Sequence, residues 1–291
     1  MAREHIRRWR IGDVEIIRIV ELFELSDIND TLFQSCSRER VLSHPWLVPH
    51  YAAANGALKM NFQAFAVRAG DRRIMVDTCI GNDKHRMAPI FDHLQTNFLD
   101  DLASAGFPPG EIDTVLCTHL HLDHVGWNTR RAGNRWVPTF ANARYLFNRA
   151  EWEFMRGLLG KEGVETDHFP DSLQPVYEAG MIDFVATDHQ VCEEVRLEPT
   201  PGHTPGHVSV CIESKGARAV ITGDIMHSPL QCAEPDLKTN FCNDHDQAIR
   251  TRRAFLERYQ NGGAYVIGSH FCDPTGGWIV PEGKAWRFQG Q

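Results

Sequence analysis

Four short segments of this chain share one design: an apolar run ends, and side chains able to bind a metal follow at once. They are Thr118-His-Leu-His-Leu-Asp-His124, Pro201-Gly-His-Thr-Pro-Gly-His207, Thr222-Gly-Asp224 and Gly268-Ser-His270. The chain holds 15 histidines, and because histidine is both the commonest metal ligand and a common general base, their clustering matters more than their number. His119 and His121 are two residues apart, so an extended segment projects them from one side and turns Leu120 and Leu122 to the other. Asp123 and His124 then follow a bend and address a second position. One segment can thus serve two metals, whereas a single catalytic zinc takes three protein ligands.

The remaining segments each offer one more group. The Pro201–Gly206 loop cannot continue a helix, and its glycines permit close backbone approach, so it presents His203 rigidly. His207 opens the strand that carries Val208, Val210 and Ile212, and reads as a structural residue. Asp224 ends the run Ala219-Val-Ile-Thr222, where a lone buried carboxylate is costly without a cation. His270 takes the same place after Tyr265-Val-Ile267.

Between these segments the chain alternates strand and helix signals. Strands are expected at 14–20, 61–68, 72–77, 112–118, 181–185, 195–197, 207–213, 218–222 and 264–267, with short terminal ones at 278–280 and 286–288. A hairpin turn is expected at Ala69-Gly70-Asp71. Helices are expected at 92–105, 149–159, 171–179 and 244–259. Residues 26 to 57, with Pro45 and Pro49, read as an irregular N-terminal arm. Adjacent hairpins mixed with helix-separated strands imply an α/β protein with two mixed sheets flanked by helices. With 291 residues and no linker, repeat or composition break, the chain reads as one domain over 1–291.

Composition excludes several classes. The formal charge is −8, from 38 acidic and 30 basic residues, which disfavours a nucleic-acid binder. No apolar run reaches the roughly 18 residues of a membrane span. The charged N-terminus, Met1 to Arg10, lacks the apolar stretch of a signal peptide, so a cytoplasmic location is expected. The eight cysteines, among them Cys36, Cys117 and Cys242, contain no C-x-x-C pair and read as buried, reduced small hydrophobes.

An H-x-H-x-D-H segment followed by an isolated His, an isolated Asp and a last His resembles the signature of the metallo-β-lactamase superfamily. Val76-Asp77-Thr78 also looks like that family's early motif, with Cys79 where a glycine is usual. The resemblance implies an αββα sandwich, with one metal on His119, His121 and His203 and another on Asp123, His124 and His270. It makes Asp224 the bridge between them and places Asp77 behind the ligand loops as a support. Two zinc ions are implied, with manganese, iron or cobalt as alternatives for such a donor set. The implied reaction is attack by a metal-bridging hydroxide on a carbonyl or phosphoryl centre.

Departures from relatives narrow the branch. Zinc β-lactamases replace the bridging Asp, and glyoxalase II enzymes carry a C-terminal helical domain where about 20 residues follow His270 here. RNA-processing relatives need added nucleic-acid-binding elements. Flavodiiron proteins carry a Glu in the first motif and a flavin domain. What remains resembles the dinuclear lactonases and the methyl parathion hydrolase-like enzymes. Homoserine lactone lactonases place a tyrosine three residues after the bridging Asp; here that residue is His227, a candidate to polarise the substrate. The expected activity is opening of a lactone or cleavage of an ester, with a small-molecule substrate. Organophosphate triester hydrolysis is an alternative, as is a metal-binding protein without catalysis. Trp127 and Phe271 are candidate pocket walls, and the 26–57 arm is a candidate pocket wall or homodimer contact.

Overall fold

The computed structural model describes residues 6–162 and 166–291, so the first five residues of the charged N-terminal stretch lie outside the described residues. Its strands are β1 (Ile6–Ile11), β2 (Val14–Ser26), β3 (Lys59–Ala69), β4 (Arg72–Val76), β5 (Thr114–Leu116), a small hairpin of β6 (Thr129–Ala132) and β7 (Arg135–Pro138), β8 (Arg144–Asn148) and β9 (Ile182–Val185). They continue through β10 (Val195–Pro199), β11 (Val208–Ser214), β12 (Ala217–Ile221), β13 (Tyr265–Ile267), β14 (Gly276–Glu282) and β15 (Ala285–Gly290). The first sheet has the order β1-β2-β3-β4-β5-β8-β9 and the second β10-β11-β12-β13-β14-β15. Both are mixed: β4, β5, β8 and β9 pair in parallel, as do β12 and β13, and the other pairs are antiparallel.

The period-2 alternation of strands explains how the layers stack. Ile16, Phe65, Val67, Ile74, Val76 and Leu116 of the first sheet face Val208, Val210, Ile212, Ala219, Ile221 and Ile267 of the second in one core. Their neighbours point outward. Ile17, Ala64, Ala66, Met75 and Val115 meet Phe98, Leu102, Trp152 and Met155 of the helices Phe98–Ser104 and Arg149–Leu158. Cys211, Val220 and Val266 meet Phe255, Leu256 and Tyr259 of the helix His245–Tyr259. Helix, sheet, sheet, helix is the resulting order. Strands buried on both faces carry near-continuous apolar runs, as the sequence of β11 and β12 does.

The arm is packed onto this scaffold. Its short helices Asn29–Leu32 and Arg38–Leu42 bury Leu32 and Val41, with Phe33 between them, in the same core as Leu230, Cys232 and Phe288. The sequence expectation differs at one helix bound and at four strands. The helix expected from Asp92 begins only at Phe98, because His93 adopts a left-handed backbone with φ of 51° that no α-helix passes through. The Asp92 carboxylate instead accepts the backbone N–H of Arg86. Strands β1, β6, β7 and β8 carry no matching expectation from the sequence. Among the described residues no helix is long and apolar enough to cross a membrane. Six cysteines are buried, Cys192 and Cys242 are half-buried, and all eight are free.

Candidate metal centre

All four metal-capable segments meet at one edge of the sandwich. His119 and His121 follow β5, and the short helix Leu122–Val125 turns Asp123 and His124 inward. His203 comes from the loop between β10 and β11, Asp224 from the turn after β12 and His270 from the loop after β13. Gly223 has a φ of 56°, and a side chain there would meet His207 Nε2 at 2.5 Å; only glycine permits this turn. The imidazole of His207 accepts the Asp224 backbone N–H at 2.8 Å and bonds the Thr200 carbonyl at 3.0 Å through Nδ1. It thus fixes the Asp224 backbone.

The donor atoms fall into two groups, His119, His121 and His203 in one and Asp123, His124, Asp224 and His270 in the other, each within 4.8 Å. His203 Nε2 lies 3.2 Å from His119 Nε2 and 2.9 Å from His121 Nδ1. Asp224 stands between the groups. Its Oδ2 lies 3.7 Å from His119 and 3.5 Å from His203, and its Oδ1 lies 3.3 Å from His124 and 3.1 Å from His270. Asp123 Oδ2 is 3.5 Å from both His124 and His270.

This arrangement fits a divalent metal centre on its own chemistry. The far nitrogens of several rings are already engaged: His124 Nδ1 by Asp77 at 2.9 Å, His270 Nδ1 by the Asn61 carbonyl at 2.8 Å and His119 Nδ1 by Thr118 Oγ1 at 3.2 Å. A neutral ring that donates from Nδ1 leaves Nε2 with a lone pair. These ring nitrogens converge at about hydrogen-bond distance, His203 Nε2 on His119 Nε2 at 3.2 Å and His270 Nε2 on His124 Nε2 at 3.3 Å. Asp224 Oδ1 is buried without a hydrogen-bond donor. A cation satisfies all of these at once.

The electrostatics divide the two groups, since burial is outweighed on His270 by the carboxylates, which raise that ring. Burial holds the His119 and His203 rings far below the usual histidine range and brings His121 down to about 4, so these rings are neutral. Burial also opposes charge on His124, but Asp224, Asp123 and Asp77 outweigh it and raise that ring. Conversely, burial raises Asp123, and His124 and His270 pull it down to about 2.

Asp77, with a φ of 61°, accepts the Thr118 N–H, the Thr118 hydroxyl and the His124 ring, which ties the first ligand segment to the end of β4. His227 lies beside the centre with Nε2 3.1 Å from Asp224 Oδ2. Its ring stacks on His270 at 5.7 Å, and its Nδ1 is buried without a partner. Both aromatic candidates are core residues. Trp127 stacks on Phe98 and donates to Glu21 at 2.6 Å, and Phe271 is fully buried against Phe288 and Tyr51.

Sequence reading missed four supports. Glu21 on β2 accepts the Ile80 and Gly81 N–H groups, the Thr96 hydroxyl and Trp127, and burial pushes its carboxyl upward. Gln63 on β3 donates to the Gly268 and Phe271 carbonyls and so clasps the His270 loop. Glu151 and His168 reach the other ligand loops. Asn61 and Gln63 alternate on one face of an otherwise apolar strand, which is the signal that identifies such residues.

The family model described as "Metallo-beta-lactamase superfamily" matches residues 63–270. An N-acyl homoserine lactonase of Bacillus cereus is 28% identical over 120 residues, 41% of this chain and 40% of that protein. The chain thus matches about two fifths of the length of that relative. The N-acyl homoserine lactonase AttM of Rhizobium radiobacter is 25% identical over 203 residues, 64% of this chain and 67% of the relative. A crystal structure of "hydrolase AbOPH in beta lactamase superfamily" superposes with a TM-score of 0.79 at 24% identity, covering 99% of this chain and 97% of that one. A structure of AidC, described as a dizinc quorum-quenching lactonase with a bound product, gives 0.77 at 17% identity, covering 98% and 97%. These two show the same fold. With the family model spanning most of the chain, and the ligand loops of that stretch gathered at one edge of the sandwich, the protein belongs to the metallo-β-lactamase superfamily.

Proposed function

We propose that this protein is a dinuclear metal-dependent hydrolase that opens a lactone or cleaves an activated ester. The observation that carries the reading is Asp224, whose two carboxylate oxygens face the two donor groups separately. In this reading His119, His121 and His203 hold one cation, Asp123, His124 and His270 hold the other, and Asp224 bridges them. Five nitrogens and two carboxylates suit zinc. Bound there, two divalent cations supply an acidified water and a Lewis acid for the substrate carbonyl.

The chain's own residues then have separate tasks. His207 fixes the Asp224 backbone, so the spacing between the two donor groups is set before any ligand binds. Asp77 keeps the Nδ1 proton of His124 occupied and turns its Nε2 inward. Burial lowers the proton affinity of His227, so the ring is neutral and carries one N–H. With that proton on Nε2, beside Asp224, His227 is placed to share it with a substrate oxygen that gains charge. A lactone keeps both ends of the cleaved bond on one molecule, which suits a site with ligands on every side. The lactonase names of the relatives support this substrate class.

The test is a metal count followed by a substrate panel. About two cations per chain are expected, removable by a chelator with loss of activity. Lactones or activated esters should show higher kcat/KM than β-lactams or phosphotriesters. One cation or none in fully active protein overturns the metal reading, and a chromogenic β-lactam turned over faster than every lactone and ester overturns the substrate reading.

A further inference from the structure

The two halves of the centre are supported differently. His124 and His270 are oriented by strong acceptors, the Asp77 carboxylate at 2.9 Å and the Asn61 carbonyl at 2.8 Å. His119 and His203 have weaker partners on their far nitrogens, the Thr118 hydroxyl at 3.2 Å and the Cys242 thiol at 3.6 Å. The placement of this second half therefore rests on the backbone that carries it.

That backbone is held from outside the ligand set by Asn148 and Glu151 at the start of the helix Arg149–Leu158, and by His168. Glu151, in the first turn of the helix Arg149–Leu158, is 1% exposed. Its Oε2 accepts the Gly206 N–H at 2.8 Å, in the loop that presents His203. Its other oxygen, Oε1, is buried with no hydrogen-bond partner, so the Gly206 N–H is the contact through which this carboxylate acts. His168, itself buried, donates from Nε2 to the Leu120 carbonyl at 2.9 Å. A Cβ on Gly206 would meet Asn148 Oδ1 at 2.5 Å and Glu151 Oε2 at 3.0 Å, so the loop lies directly on the start of the helix.

We propose that Glu151 is a positioning residue for one half of the metal centre: it holds the His203 loop against the start of the helix and so sets the affinity of that cation alone. The inference rests on the two-cation reading above. Orienting groups outside the ligand set typically change metal affinity by about 10–100-fold.

The experiment measures stepwise Zn2+ binding to metal-stripped protein by competition with a chromophoric chelator. In Glu151→Ala one of the two affinities should fall by about 10–100-fold and the other should stay within about threefold. Glu151→Gln, which keeps an acceptor for Gly206 and preserves the packing, should show a smaller loss at the same step; it carries the test if the alanine variant does not fold. In a His203→Ala background, adding Glu151→Gln should leave the remaining affinity unchanged. Equal losses at both steps, no loss at either, or a further loss in the His203→Ala background overturns the proposal. Wild-type protein that binds fewer than two cations instead overturns the two-cation reading, and this inference with it.

Discussion

Strands β11 and β12 have two ends, and the two ends handle charge in opposite ways. At the end away from the metal loops a cavity of about 780 Å³ is lined by Asp13, Glu193, Glu194, Arg196, Arg218 and Arg258 among others. There the acid Asp13 meets a base, with Lys215 3.7 Å away and both side chains exposed. At the other end Asp123 and Asp224 pair only with histidines among the ion pairs of the described residues. The exposed acid at the far end is answered by a lysine, whereas Asp123 and Asp224 at the metal-loop end meet only histidines. A buried carboxylate with no fixed cation is costly, and the cost marks the place where a mobile cation belongs.

The largest test of that contrast is Asp224→Ala. Removing the carboxylate between the two donor groups should release one cation preferentially and lower kcat by several orders of magnitude. Metal analysis with steady-state kinetics reads both, and near-normal turnover would show that the bridge is misassigned. His227→Ala is the intermediate case. Loss of one donor to a developing oxyanion costs ~10²–10³ in kcat, with metal content unchanged. A marked drop in bound metal would make His227 a ligand, and unchanged kcat would make it a bystander. The smallest effect belongs to the far end. Lys215 and Asp13 are 76% and 65% exposed on their side chains and 3.7 Å apart. Lys215→Ala should therefore cost at most about 1 kcal/mol of stability and leave kcat alone. A change in turnover would mean that the two ends communicate.

The candidate ligands His119, His121, Asp224 and His270 were legible because each follows an apolar strand, so local pattern and chemistry coincide there. Their supports were not. Glu21 serves Ile80 and Trp127, and Glu151 serves Gly206, partners more than fifty residues away; a lone acid in a strand or helix carries no sign of what it will meet. The layered fold was legible from β-branched runs such as those of β2 and β12. Strand β1 was not, because Arg7, Arg8 and Arg10 interrupt its apolar residues, and β8 was hidden by the helix that starts at the next residue. At 92–105 the apolar periodicity favoured a helix, and a hydrogen-bonded turn around Asp92 won instead.

Arg18 on β2 is fully buried and holds Asp273 through two bonds of 2.9 Å, and Arg7 reaches the same carboxylate at 2.8 Å. The first strands of the chain are thereby latched to the loop that follows His270. Because a chain leaves the ribosome N-terminus first, β2 emerges with its guanidinium unanswered until some 250 residues later in synthesis. The last of the candidate ligands, His270, and the latch at Asp273 are made three residues apart. A chain cut before residue 270 therefore lacks both that candidate ligand and the clasp on its first strands.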